Sequence, residues 1–337
     1  MLSEPVFSSR PGRLVHPDLA RTSSRLGDLL SRQLLFLDQP AHSRLRSLTA
    51  NALSARRIRG LTGEITALAR KACGPPDATE LDVVLDVARP VPLAVVARLL
   101  GLPSADLAAL QVMSDAYTRV ITGIDRTTDD ATLTALESFI DYALEMVREK
   151  RRHPGDDATS ELVASADAMG GFDDTDLAAN LVMLVASGHQ TTSGLIAGAV
   201  LGRLGLAEEH QAGPLDVEMA LASITPSRFI GRTATADVWL GDRLIGAGQA
   251  VLVLLAAINQ ADIGYRPHLA FGYGPHRCPG ALLARLEWRI VVSELLARWQ
   301  DAVPATETIR WTSNVNLPCP VNLPIVRGQR VTKKATQ

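Results

Sequence analysis

The segment "DDTDLAANLVMLVASGHQTTSGLIAGAVLGRLG" (173–205) constrains the fold more than any other. It is apolar nearly all round, so a helix built from it has no face to offer water and must lie at the centre of the molecule. Asp173 or Asp174 can cap its start, and Asp176 suits the positive end of the helix dipole. The polar run "SGHQTT" (187–192) interrupts it. Unpaired polar groups there cost about 1–3 kcal/mol each. Either their side chains bond back to the preceding turn of a kinked core helix, or they serve a site.

Around this segment most of the chain reads as helical. Apolar residues recur every three or four positions in "RRIRGLTGEITALARKA" (56–72), "LAVVARLLGL" (93–102), "LTALESFIDYALEMVREKRR" (133–152) and "ALLARLEWRIVVSELLARW" (281–299). "RRHPGDDATSE" breaks the pattern with a proline, a glycine and charge. Residues 228–258 alternate instead, are rich in Val, Leu and Thr, and predict two or three short strands joined by hairpin turns. The fold class is therefore mainly α with a small β sheet: one domain over 1–328 and a polar, basic tail over 329–337.

A net charge of −2 and 4% aromatic residues argue against a nucleic-acid surface, which needs a basic patch with stacking rings. No apolar run reaches transmembrane length, and "MLSEPVFSSRPGR" lacks a signal-peptide core, so a membrane role is not expected. Cys73, Cys278 and Cys319 form neither a disulfide framework nor a CxxC pair, which suits a reducing cytoplasm.

Cys278 sits in "FGYGPHRCPG" (271–280), where three glycines and two prolines suppress regular structure just before a helix. A thiolate there is favoured by the helix dipole and by free amide donors. A nucleophile needs an oriented histidine base, but His276 stands two residues away in an extended loop, and zinc needs ligands the neighbourhood lacks. A metal that brings its own equatorial ligands needs only one, and haem is that case. A buried free thiol is the other reading.

"FGYGPHRCPG" resembles the haem-binding signature of the cytochromes P450. "LLFLDQPAHSRLR" (34–46) resembles the start of that family's helix C, and "GRTATADVWLGDRLIGAGQAV" (231–251) its sheet segment. "ASGHQTTSGL" (186–195) resembles the distal I helix, and "ARLEWRIVVSELLARW" (284–299) helix L. The resemblance implies the cytochrome P450 fold and haem b, iron-protoporphyrin IX, with Cys278 as the metal ligand. His42, Arg46, Arg232 and His276 would meet the propionates, Phe271 and Gly280 would border the cofactor, and Thr191 with Gln190 would shape the distal oxygen site.

The sequence departs from the family pattern in four places. The buried Glu-x-x-Arg pair of helix K is replaced by Met219 and Ala222 in "DVEMALASITPSR" (216–228), and the Glu145/Arg148 spacing elsewhere reads as a surface pair. "AAINQADIGYRPHLAFGYG" (256–274) shortens the meander before the cysteine loop. Gln190 stands where an acid is usual, and an amide relays protons poorly, so slow or uncoupled turnover is expected. Met1 aligns within the family's N-terminal region, so an N-terminally shortened fold is expected.

The leading expectation is a haem-thiolate monooxygenase that oxidises a small organic molecule of specialised metabolism, using dioxygen and a ferredoxin-type electron donor. Substrate choice would fall to loops 8–33, 115–132 and 224–230. The alternatives are a haem-deficient P450-like activator partnering a glycosyltransferase, or an inactive paralogue; retention of Cys278 argues against the activator.

Overall fold

The start of the central helix is set by a local signal in the chain. The computed structural model describes residues 1–10, 24–122, 129–206, 216–261 and 267–328. The 329–337 tail, part of the 8–33 and 115–132 loops and positions 262–266 of the shortened meander lie outside the described residues.

The first elements are β1 (Phe7–Ser8), α1 (Ser24–Ser31), α2 (Ala41–Ala52), α3 (Ala55–Gly60), α4 (Thr62–Ala72) and β2 (Glu80–Asp82). A π-helical turn over Val83–Ala88 leads into α5 (Pro90–Leu100), then α6 (Leu107–Thr122), α7 (Asp130–Arg152), α8 (Ala158–Met169) and α9 (Asp174–Arg203). The remainder is α10 (Val217–Ile224), β3 (Ile230–Ala234), β4 (Val238–Leu240), β5 (Arg243–Ile245), β6 (Ala250–Val253), α11 (Leu255–Ala261), α12 (Ala281–Arg298), β7 (Ala302–Pro304) and β8 (Pro324–Arg327).

The apolar segment forms α9, helical throughout and packed against α5, α6, α7, α10 and α12. Asp173 caps it, with a reciprocal bond from its own amide to Asp176. Arg32 reaches both acids and ties the start of α9 to the end of α1. The polar interruption is absorbed locally. Ser187, Thr191, Thr192 and Ser193 each donate to the carbonyl four residues back, and His189 Nδ1 donates to Val185 O at 2.8 Å.

Three predictions need correction in detail. The helical stretch 56–72 is divided between two helices parted at Leu61, whose amide bonds Ile58 O. Residues 228–258 form four strands rather than two or three. β3 and β6 lie antiparallel with β1 on the outer side of β3, while β4 and β5 make a separate hairpin because Gly241 supplies the turn at φ 61°. Glu145 and Arg148 do not pair. Glu145 binds Arg152 at 2.8 Å, while Arg148 is drawn to Asp174 at the acidic start of α9.

A second sheet, in the order β2–β8–β7, brings Pro324–Arg327 against Glu80–Asp82. No helix among the described residues is long and apolar enough to cross a membrane.

Candidate active site

The cysteine loop is shaped by residues that admit no side chain. Gly272 and Gly274 hold φ of 69° and 75°, and a Cβ on Gly274 would lie 2.9 Å from Leu2 O. A short 3-10 turn over Gly274–His276 then brings the chain back, so that the Cys278 amide donates to Phe271 O at 2.9 Å. Gly280 is the N-cap of α12, and its backbone N–H donates to the Cys278 sulfur. Burial pushes the Cys278 thiol up in pKa, while that amide and the charges of Arg46, Arg277 and Arg285 pull it down.

Cys278, Pro279 and Gly280 form one wall of a cavity of about 290 Å³. This lies at the lower end of the range for sites that enclose a small organic ligand. The opposite wall is α9, through Met183, Leu184, Ser187, Gly188, Thr191 and Leu195. Gly188 lets α9 approach α5 closely, since a Cβ there would stand 2.9 Å from a methyl of Val96.

At one end of the cavity four basic side chains converge. His42 is 2% exposed and Arg232 6%. The rings of His42 and His276 lie 4.0 Å apart between centroids, and Arg46 lines the same end. Arg232 donates to its neighbour's carbonyl, Gly231 O, and His276 Nε2 meets Ser9 Oγ. His42 Nε2 is buried with no partner. Among the described residues no carboxylate bonds to any of the four; Asp38, the nearest acid acting on them, is held by Ser8 and Ser9. Burial first, then the charges of His42 and Arg232, drive the His276 pKa down to about 4, and burial also lowers His42 and Arg46. Arg46 and Arg232 without anions are costly, and the two imidazoles beside them are neutral hydrogen-bonding groups, so this end is built for a ligand that carries negative charge.

Cytochrome P450 CYP107DY1 of Priestia megaterium is 30% identical over 314 residues, covering 87% of this chain and 76% of that protein. The chain belongs to the cytochrome P450 family. The mycinamicin VIII C21 methyl hydroxylase of Micromonospora griseorubida is 31% identical over 79% of the chain and 72% of its own length. The solved structure of P450BioI, in complex with a hexadec-9Z-enoic acid ligated acyl carrier protein, superposes with a TM-score of 0.84 at 25% identity, covering 97% of this chain and 88% of that one. No protein-family model matches the chain.

Membership of the P450 family implies haem, and the residues present fit it. A single cysteine lines the cavity, just before a helix N-terminus. The orphaned His42 Nε2 and the uncompensated Arg46 and Arg232 supply donors for two carboxylates.

The structure brings Cys278, His42, Arg46, Arg232, His276, Phe271, Gly280 and Thr191 to the lining of this one cavity. Gln190 is not in the lining: its amide donates to Asp115 on α6, which also binds Arg89 and Gln111.

Sequence reasoning missed the residues beneath the cysteine loop. Glu218, one place before Met219, binds Arg285 of α12 through both oxygens at 2.6 and 2.8 Å, and His268 at 3.0 Å. Met219 itself is exposed. The search for a pair three residues apart on α10 looks along one helix, whereas these partners lie 50 and 67 residues further on. The acid in "DVEMA" was the only sequence signal available.

Proposed function

We propose that this cytochrome P450 is a haem-thiolate monooxygenase acting on a small organic molecule of specialised metabolism. One observation carries the reading: a lone cysteine sulfur and an uncompensated cluster of four basic groups share one apolar cavity beneath α9. Haem bound there supplies the iron that activates dioxygen, with electrons from a ferredoxin-type donor.

Each residue has a role that its position supports. Cys278 is the metal ligand: burial raises its thiol pKa, and the Gly280 amide with Arg46, Arg277 and Arg285 pulls the other way, favouring the thiolate that iron would bind. Arg46 and Arg232 neutralise the propionates, and His42 and His276 add ring N–H donors. Phe271 and Gly280 border the cofactor. Thr191 faces the cavity with its proton directed to Ser187 O at 3.0 Å, which leaves its oxygen lone pairs to order a water on the distal side. Gln190 shapes that side from behind, fixing the turn that carries Thr191 to Asp115 on α6. With no carboxylate at position 190, protons reach Thr191 through water, and turnover is slower or less coupled than a carboxylate would allow. The apolar lining from Leu34, Leu99, Leu195 and Leu255 suits a largely hydrocarbon substrate. A relative named for hydroxylating a methyl of mycinamicin VIII supports that substrate class.

The test is spectroscopic. The purified protein should be coloured, and its reduced carbonyl complex should show the red-shifted band of a thiolate-ligated haem. Cys278→Ser should abolish that band, and Cys73→Ser and Cys319→Ser should leave it intact. A folded but colourless wild type would overturn the reading in favour of a haem-free activator of another enzyme.

A further inference from the structure

We infer that α10, which lacks a Glu-x-x-Arg pair, holds the cysteine loop in place through two tethers of different composition: an ion-pair clamp, Glu218 with Arg285 and His268, and a buried chain from Thr225 through Asn259 to Leu269. The clamp acts at the start of α10. Glu218 accepts the Arg285 fork through both oxygens. His268 Nδ1 accepts from the Ala270 amide, so its Nε2 carries the hydrogen donated to Glu218. Arg285 and His268 both pack on Phe271, the guanidinium 4.5 Å from the ring centroid and the imidazole ring 5.9 Å away. Phe271 in turn presents the carbonyl that receives the Cys278 amide. Glu218 thus reaches Cys278 through Phe271.

The second tether acts at the other end of α10. Thr225 terminates the helix in a left-handed conformation, φ 42°, stabilised by its hydroxyl bonds to Leu221 O and Ala222 O. Thr225 is 0% exposed and Asn259 5%. Asn259 donates to the Thr225 hydroxyl at 2.8 Å and accepts from the Leu269 amide at 2.7 Å. Leu269 lies two residues before Phe271, so the loop is fixed to both ends of one short helix. This replaces a brace made within α10 by braces made from it. Glu218, Arg285, His268, Thr225 and Asn259 are positioning residues, because none of them lines the cavity. The inference depends on the haem-thiolate reading only for its catalytic consequence, since the tethers act on the loop itself.

The test is amide hydrogen exchange on the full-length protein, read by mass on peptides spanning 267–280, with cofactor content measured in parallel. Glu218→Gln should raise exchange in that span by about tenfold while peptides of α7 and α8 keep wild-type protection. Arg285→Lys keeps the charge but loses the fork and the flat stack, and should show the same change to a smaller degree. The double exchange Glu218→Arg/Arg285→Glu should restore part of the protection, since it regains the ion pair but not the His268 bond or the stack on Phe271. Equal exchange in wild type and both single variants would overturn the inference, as would exchange raised uniformly over the whole chain. A wild type with a protected loop and no haem would instead sink the cofactor assignment and leave the tethers standing.

Discussion

Glu287 on α12 is fully buried, and neither carboxyl oxygen finds a partner among the described residues. Burial alone pushes its pKa well above the ordinary carboxyl value, so it folds protonated. The contribution of a group raised in this way is full below its unfolded pKa and is lost as pH climbs from there through its folded pKa. Glu287→Met should therefore stabilise the protein at neutral pH by about 1–3 kcal/mol in denaturant unfolding, and should flatten the alkaline side of its stability profile. No change, or a loss, would show that Glu287 has a partner. In the sequence Glu287 is indistinguishable from a surface acid, since "ARLEWR" (284–289) marks a helix without marking its inner face. His42 and Arg46 were legible through the resemblance of "LLFLDQPAHSRLR" (34–46) to the family's helix C. That His42 would be buried was not, because burial depends on sheet and loop residues more than 180 positions away, Arg232 and His276.

The helices divide along the same line. α9 could be read from sequence because its signals are local: an aspartate cap, apolarity broken only by one polar run, and Ser and Thr side chains that satisfy themselves one turn back. Its contact with α5 was not legible, because it depends on two elements meeting with no room to spare. Gly188→Ala would place a Cβ 2.9 Å from Val96 Cγ2 and force the helices apart at the turn that carries Thr191. A cost of about 1–3 kcal/mol is expected from overpacking, and Val96→Ala in the same chain should recover part of it. Additive losses in the double variant would show that the two residues are not in contact. α10 lies at the other extreme. It is eight residues long, its capping Asp216 is visible in the sequence, and its importance to the site rests on partners in α11, α12 and the loop before Cys278.

At the scale of the whole molecule, acid should unfold the protein in two stages. His189 is buried, with Nδ1 on Val185 O and Nε2 unpartnered, and desolvation lowers its pKa to about 4. An imidazole depressed in the folded state binds its proton more readily when unfolded, so stability falls as pH drops from about 6.5 to 4. Asp115 and Arg89, which bear on this ring with opposite sign, are the secondary influences. Glu218, held down to about 2 first by the Arg285 hydrogen bonds and then by His268, contributes stability above its unfolded pKa. That contribution is lost between about 4.5 and 2. His189→Phe should shrink the upper stage, leaving the part that His276 and His42, also depressed by burial, contribute over the same range, and Glu218→Gln should shrink the lower one, followed by unfolding free energy against pH. An upper stage unchanged by His189→Phe would assign it wholly to the other two imidazoles. The overall architecture was readable from periodicity, and the cysteine, basic and alcohol positions from the resemblance of their segments to the cytochromes P450. The way distant segments secure one another was not, because sequence proximity carries no record of it. Moving the acid of α10 by one position turns it about 100° around the helix axis. A pair inside one helix travels with that helix as a rigid piece and reports nothing beyond it. The Glu218–Arg285 bridge spans two helices, so it behaves as a strut of fixed length: the gap between α10 and α12 sets where the sulfur stands, and anything that widens the gap moves the sulfur with it.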